Sequence, residues 1–300
     1  MLKRSITGFF ILLVVAGFIA LRQVSILFFD ALALVVLYGS IIEITLASKF
    51  SNKKVDKVIL LIYPAILTCI YIFAPTVEMQ LILQVLAVIL MFVLLMAKEL
   101  IVNAIIRKRG ETETNQEVLN ASLLNETKNT MEIILYPATL VAFLMGINHF
   151  GLSLGYVGII MTFAVSMFTD VFAYLFGSLI RGPRMAPEIS PKKSVSGMIF
   201  GALGGMLAAG LGYLAFVHFG LLGDAFSLTS QASTITIFVL MGVVGTFLTQ
   251  FGDLVASAYK RKVGIKDFGS IFPGHGGFMD RVDGLMFTAA LIYLLFTLLV

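Results

Sequence analysis

The sequence has little charge: Asp, Glu, Lys and Arg make up 13% of 300 residues, against an apolar share of 59%. Soluble domains carry about 25% charged residues, and the deficit here runs the whole length of the chain. That excludes a soluble domain held by one anchor and points to a membrane domain throughout. Cysteine is nearly absent too. Cys69 stands alone in an apolar run, which excludes internal disulfides and multi-thiolate metal sites. No internal repeat or low-complexity tract is visible. The net charge of +4 carries no nucleic-acid signal, because basic cytoplasmic loops give membrane proteins such an excess. The 14 Met and 26 Phe read as packing and lipid-facing bulk, not as a cofactor box.

What the chain does have is a series of apolar runs. Crossing the hydrocarbon takes roughly 20 mainly apolar residues, and nine segments answer to that: 6–21, 24–46, 58–74, 79–106, 132–148, 154–180, 196–220, 234–259 and 282–300. The expected fold is an all-α polytopic transmembrane helix bundle of about nine spans. Three regions follow: 1–106 with the first four helices, a connector at 107–130, and a C-terminal transmembrane region at 131–300. The stretch 110–130, rich in Glu, Asn and Thr, is expected to be a solvated connector or a short amphipathic helix. The first run, short and preceded by Lys3 and Arg4, also resembles a signal peptide, but no convincing cleavage site follows it, so retention is the expectation.

Lys and Arg gather on the cytoplasmic side of membrane proteins. With nine spans, all but one of the 21 Lys and Arg residues fall on the side of the N-terminus, among them Lys49, Lys53, Arg109 and Arg181. Only Arg22 lies opposite. The N-terminus is therefore expected in the cytoplasm and the C-terminus outside, in a bacterial plasma membrane. The sequons at Asn120 and Asn125 fall on the cytoplasmic side and are discounted.

Chemistry concentrates near the C-terminus. On a helix, Asp253, Ser257 and Lys260 or Arg261 share one face at i, i+4 and i+7 or i+8. The ordinary alternative is a neutralised acid with snorkelling bases, yet an ionisable residue inside a span is a functional hypothesis by default. Next come three glycines around His275 (Gly274, Gly276, Gly277), free to turn tightly and to present N–H groups to an anion. Asp280 and Asp283 follow on one side of a helix start that itself favours phosphate. Two carboxylates beside a glycine-rich backbone and several bases suit a hard cation bridging phosphate oxygens. The competing reading of Asp280 is a plain helix cap.

Taken together, Ser257-x-x-Lys260-Arg261, Lys266-Asp267, Pro273-Gly-His-Gly-Gly and Asp280-Arg-x-Asp283 resemble the signature of the phosphatidate cytidylyltransferases, the CDP-diacylglycerol synthases. It runs over 257–283. Two upstream blocks are similar to that family's: Asp170-x-x-Ala173-Tyr174-x-x-Gly177 and Ser190-Pro191-Lys192-Lys193-Ser194. The resemblance is strong over roughly 165–290 and rests on hydropathy alone before that. Two departures stand out, Ser196 and Ala256, where the family commonly has Glu.

The resemblance implies condensation of CTP with phosphatidate to CDP-diacylglycerol and pyrophosphate at the cytoplasmic face. It implies one or two Mg²⁺-type cations on Asp253, Asp280 and Asp283. Ser257 and Lys260 join these aspartates as catalytic residues. Asp170, Tyr174, Lys192, Lys193, Arg261, His275, Gly276, Gly277 and Arg281 are expected to bind substrate. Phosphatidate would arrive sideways from the bilayer, and relatives of this kind form homodimers. The rivals are the same chemistry on another lipid phosphate, a non-catalytic relative, and a secondary transporter. The transporter reading is weakened because the charges collect at one interface rather than at mid-membrane. Gly177 is read either as room for a nucleotide or as packing. Lys98, Glu99 and Asn103 are read as an interfacial group, and Asp30, Glu43, His149, His218 and Asp224 as interface or packing residues without function.

Overall fold

The computed structural model describes residues 2–48, 54–108, 113–180, 182–223, 225–226 and 229–299. Lys49, Lys53, Arg109, Arg181 and Asp224 lie outside the described residues. The chain forms helices α1 (Leu2–Leu21), α2 (Ile26–Ala47), α3 (Lys54–Phe73), α4 (Val77–Lys108), α5 (Glu113–Ile133), α6 (Leu140–Asn148) and α7 (Leu152–Ile180). A small hairpin follows, β1 (Arg184–Ala186) and β2 (Ser190–Ser194), and then α8 (Val195–Tyr213), α9 (Gln231–Lys262), α10 (Met279–Val282) and α11 (Leu285–Thr297). This is an all-α polytopic membrane protein with one two-stranded addition.

Seven helical stretches among the described residues are long and apolar enough to cross a membrane, and Ile6–Leu21 and Leu285–Thr297 are apolar but shorter. Together these nine apolar stretches occupy the nine runs in the sequence. A lipid environment leaves backbone groups no water to bond, so each run must satisfy itself as helix. The ends obey local rules. Ser25, Ser194 and Ser230 cap α2, α8 and α9 by accepting the amides of Leu27, Gly197 and Ser233. Lys260, Arg261 and Lys262 occupy the last turn of α9, where cations meet the negative end of the helix dipole.

The connector differs from the simplest expectation. Glu113–Ile133 is a full 21-residue helix that runs through a π-helical kink at Ile134–Thr139, containing Pro137, into α6. Leu123, Thr127 and Thr130 are buried, so the polar stretch packs against the bundle. Its high content of Asn and Thr conceals a buried face that hydropathy alone does not register. The polar link 182–195 forms an antiparallel hairpin pairing Arg184 with Ser194 and Ala186 with Ser190.

The C-terminal half is built on close helix approach. Gly204 and Gly205 of α8 lie so near Phe168 and Thr246 that a methyl group at either would collide with α7 or α9, and Gly201 leaves only tight room beside Thr169. Small residues at helical spacing are what lets membrane helices come this close. Hydroxyl pairs lock the same layer: Thr169 with Thr246 at 3.2 Å and Thr249 with Thr288 at 2.6 Å. α7, α9 and α11 are thereby held in fixed rotation about their axes, and Thr169, Thr249 and Thr288 each lie within a turn or so of a site aspartate.

Candidate active site

Three helices deliver three carboxylates. Asp170 follows Thr169 on α7, Asp253 lies one turn beyond Thr249 on α9, and Asp283 precedes α11. Gly252 and Gly284 permit the approach, since a methyl group on Gly252 would strike the Asp283 carbonyl and one on Gly284 the Thr249 carbonyl. The Asp253 and Asp283 carboxyls are within hydrogen-bonding reach of each other. Asp283 lies in the turn ahead of α11, outside the apolar helices. Burial first, and then the Asp253 carboxylate, push its carboxyl well above the usual carboxylate range. Lys193, from β2, neutralises part of this charge through a 2.7 Å contact with Asp253 Oδ2.

Two cavities meet at Asp170 and Asp253. One, of about 600 Å³, is lined by Ser257, Lys260, Lys266, His275, Gly276, Arg281 and Asp283. The other, of about 670 Å³, carries Tyr174, Arg184, Lys192 and Lys193. A third, apolar groove of about 700 Å³ between α1, α2 and the start of α11 ends at Phe272 and Arg281, which it shares with the first cavity. Arg281 thus stands where a polar basin opens onto an apolar slot.

The glycine-rich loop is folded around Asp280. Its Oδ2 accepts the amides of Phe268 at 2.8 Å and Gly277 at 3.1 Å, and its Oδ1 receives Lys260 at 2.8 Å. Gly274 and Gly276 have φ of 76° and 78°, the left-handed region that other residues avoid. The chain turns so tightly there that Phe272 N donates to Gly276 O at 2.9 Å. His275 lines the cavity with its ring close to Gly8 of α1, and its Nδ1 is buried with no partner among the described residues.

The expected residues therefore separate. Asp253, Ser257, Lys260, His275, Gly276, Arg281 and Asp283 surround the first cavity, together with Asp170. Asp280 reaches it too, but both of its oxygens are engaged by Lys260 and the loop. Tyr174 is 76% exposed at the second cavity, and Gly177 lines the same cavity while packing against Gly197 of α8. Lys192 and Lys193 stand at the second cavity. Gly277 turns its amide to Asp280 and lies against Glu43. Arg261 faces away, donating to the Ile189 carbonyl at 3.3 Å, and braces the hairpin that carries the lysines. Lys98 is buried in an ion pair with Asp56 at 2.6 Å. Ser196 bonds Ser194 and Gly182, and Ala256 is fully buried.

Sequence reasoning missed two residues beside this site. Tyr136, at the kink between α5 and α6, has non-helical angles of φ −142° and ψ 112°. Its hydroxyl is buried without a hydrogen-bond partner among the described residues, and its electrostatic neighbours are Asp283 and Asp253. No motif marks it. The other is Glu43, a carboxylate within a span, which the rule for intramembrane charges does flag.

Among the described residues, no group of three or more His, Cys, Asp or Glu forms a ready-made cation cage. A smaller set still fits Mg²⁺, which keeps several waters and uses one or two carboxylates together with substrate phosphates. Asp253 and Asp283 are such a pair. Their mutual repulsion and the lifted Asp283 carboxyl are what a bound cation would relieve.

The sequence profile of the cytidylyltransferase family matches residues 2–299. The chain is 40% identical over 140 residues to the phosphatidate cytidylyltransferase of Brucella abortus biovar 1 (strain 9-941), covering 47% of each chain. It is 36% identical over 137 residues to that of Staphylococcus haemolyticus (strain JCSC1435) and 37% over 139 residues to that of Staphylococcus aureus (strain COL), each covering 46% of this chain and 48% of the relative. The chain thus spans about half the length of the curated relatives it matches. With a profile match over nearly all its residues, it belongs to the cytidylyltransferase family.

Proposed function

We propose that the protein is a membrane cytidylyltransferase that condenses CTP with phosphatidate, giving CDP-diacylglycerol and pyrophosphate. The observation that carries this reading is the meeting of two polar cavities at Asp170 and Asp253, beside a glycine-rich loop and an arginine that borders an apolar groove. One site of this kind can take a polyphosphate and a lipid phosphate at once. The names of the relatives supply the substrate class.

In this reading, Lys192, Lys193 and Tyr174 receive the nucleotide on one side. Its phosphates run past Asp170 and Asp253 to the glycine loop. Lys260, Lys266, His275 and the Gly276 backbone hold the pyrophosphate portion, with Ser257 bonding a phosphate oxygen. The lipid enters from the apolar groove with its acyl chains along α1 and α2, and Arg281 holds its phosphate at the mouth. A phosphate oxygen of the lipid attacks the α-phosphorus of CTP. A new P–O bond forms there, the bond to the bridging oxygen of the β-phosphate breaks, and pyrophosphate leaves. The lipid phosphate is already anionic, so no base is required. The side chains align the reactants and neutralise charge. A Mg²⁺-type cation held by Asp253 and Asp283 would withdraw charge from the phosphates. Asp280 acts through Lys260 and the loop. The active site is assigned to the cytoplasmic face of the cell membrane, where CTP is found and where nearly all the Lys and Arg collect.

The test is pyrophosphate release by the detergent-purified chain with Mg²⁺, CTP and phosphatidate, omitting each in turn. Release that needs all three, with CDP-lipid formed in equal amount, is expected. Turnover only with another lipid phosphate would keep the chemistry and change the substrate. Silence with every lipid phosphate would overturn the enzymatic reading.

A further inference from the structure

Glu43 sits one turn before the end of α2 and is 5% exposed. Its Oε2 accepts the Met279 amide at 2.9 Å, and its Oε1 is buried without a hydrogen-bond partner among the described residues. Met279 opens α10, whose N-cap Phe278 offers no side-chain hydrogen bond. One free amide at that helix start is thus satisfied by a carboxylate brought from the first quarter of the chain.

The same carboxylate occupies the space beside two loop glycines. A Cβ on Gly277 would come within 2.1 Å of Oε1 and 2.2 Å of Oε2, and one on Gly269 within 2.3 Å of Oε1. Neither glycine has a positive φ. The exclusion of a side chain at these two positions comes from Glu43, not from backbone conformation. On the far side of Gly277, its amide is held by Asp280. The loop is therefore clasped between Asp280 below and Glu43 from α2.

We infer that Glu43 is a positioning residue for the reaction assigned above, holding the glycine-rich loop and the first turn of α10 so that Lys260, His275 and Asp283 converge. This rests on the cytidylyltransferase reading. Stability alone argues against such a group, because a buried carboxylate oxygen with no donor is destabilising. A carboxylate kept there is explained by the placement it enforces. The N-terminal helices then complete the catalytic half instead of merely accompanying it.

The experiment uses the full chain in detergent with four variants: Glu43→Ala, Glu43→Gln, Gly277→Ala and the double variant Gly277→Ala/Glu43→Ala. Steady-state kinetics, thermal midpoints and hydrogen exchange over 266–283 are measured for each. Glu43→Ala is expected to lower kcat about a hundredfold, as small misplacements of reacting groups do. Its KM for CTP should change far less, its midpoint should be equal or higher, and exchange over 266–283 should be faster. Glu43→Gln keeps an acceptor for Met279 and should recover most of kcat. Gly277→Ala should be at least as impaired as Glu43→Ala, and the double variant more active than Gly277→Ala alone, because the new methyl group then has room.

A double variant no better than Gly277→Ala, or unchanged exchange in Glu43→Ala, overturns the inference. So does activity lost only in proportion to unfolded protein. If Gly277→Ala does not fold, the contrast in exchange between Glu43→Ala and Glu43→Gln decides. Wild-type protein inactive on every lipid phosphate would sink the cytidylyltransferase reading instead, while the exchange data would still report whether Glu43 holds the loop.

Discussion

Two polar clusters lie along α7, roughly 27 Å apart at 1.5 Å per residue between Leu152 and Asp170. At the Leu152 end, Arg22 is fully buried. It donates to Asn148 and to the carbonyls of Asn148, Gly151 and Leu152 at 2.8–2.9 Å, and it stacks 4.5 Å from the Tyr156 ring centroid. Asn148 passes the network to Asp30 at 2.8 Å, and His149 bonds the other Asp30 oxygen at 2.9 Å. Each of these groups has a partner. At the Asp170 end, carboxylates face carboxylates, and Tyr136, His275 and Glu43 each hold a buried polar atom with no partner among the described residues. The two clusters contain similar residue types and differ in satisfaction. The first ties α1, α2, α6 and α7 together, and the second stores unmet electrostatic demand that phosphates and a cation would meet.

That contrast sets the order of expected effects. The largest is Asp283→Asn, which should reduce CDP-lipid formation by about a thousandfold while leaving the melting midpoint unchanged or higher, because a repelled carboxylate is removed. Full activity of this variant at ordinary Mg²⁺ would refute the cation assignment to Asp283. At the other cluster the pattern should reverse. Arg22→Met leaves three carbonyls and Asn148 without a donor, for a loss of about 3 kcal/mol. Thermal unfolding in detergent should register this loss, while the fraction that stays folded should turn over normally. Impaired kcat in folded Arg22→Met would erase the distinction between the two ends.

Arg281→Ala should raise the apparent KM for phosphatidate about tenfold, with Arg281→Lys recovering only part, since a point charge lacks the planar fork that grips a phosphate. Equal effects on CTP and lipid would remove Arg281 from the mouth of the apolar groove. The smallest effect belongs to Lys262→Ala. Its contact with Glu132 is 3.5 Å long, and the two side chains are 58% and 32% exposed. Loss of such a pair should change stability by less than about 0.5 kcal/mol and leave the kinetics alone. A larger change would mean that the end of α9 is coupled to the site through α5.

Much of this contrast was legible in the sequence. The apolar runs, the signature aspartates and the glycines around His275 are local patterns, and the structure puts the aspartates and His275 at one cavity. What was not legible depends on rotation and reach. Asp280 and Asp283 look equivalent three residues apart, yet Asp280 turns into the loop and Asp283 towards Asp253. Arg261 and Lys260 look interchangeable, but only Lys260 lines the first cavity. Asp30 and Glu43 look alike in the sequence, each a lone carboxylate in an apolar run, yet Asp30 bonds Asn148 and His149. Glu43 meets an amide and two glycines more than two hundred residues away. Polar content also hid the buried face of α5, because Thr and Asn satisfied inside a bundle look like loop residues in a hydropathy profile.

The sequence by itself determined that this is a helical membrane protein and which chemical groups it carries to one region. Apolar length forces helices in lipid, and short-range spacing places neighbours on one face. Only the tertiary structure decided which carboxylates would be neutralised and which left facing each other. That depends on how closely α7, α8 and α9 approach at their glycines, on hydroxyl pairs that set helix rotation, and on a carboxylate from α2 that shapes a loop near the other end of the chain.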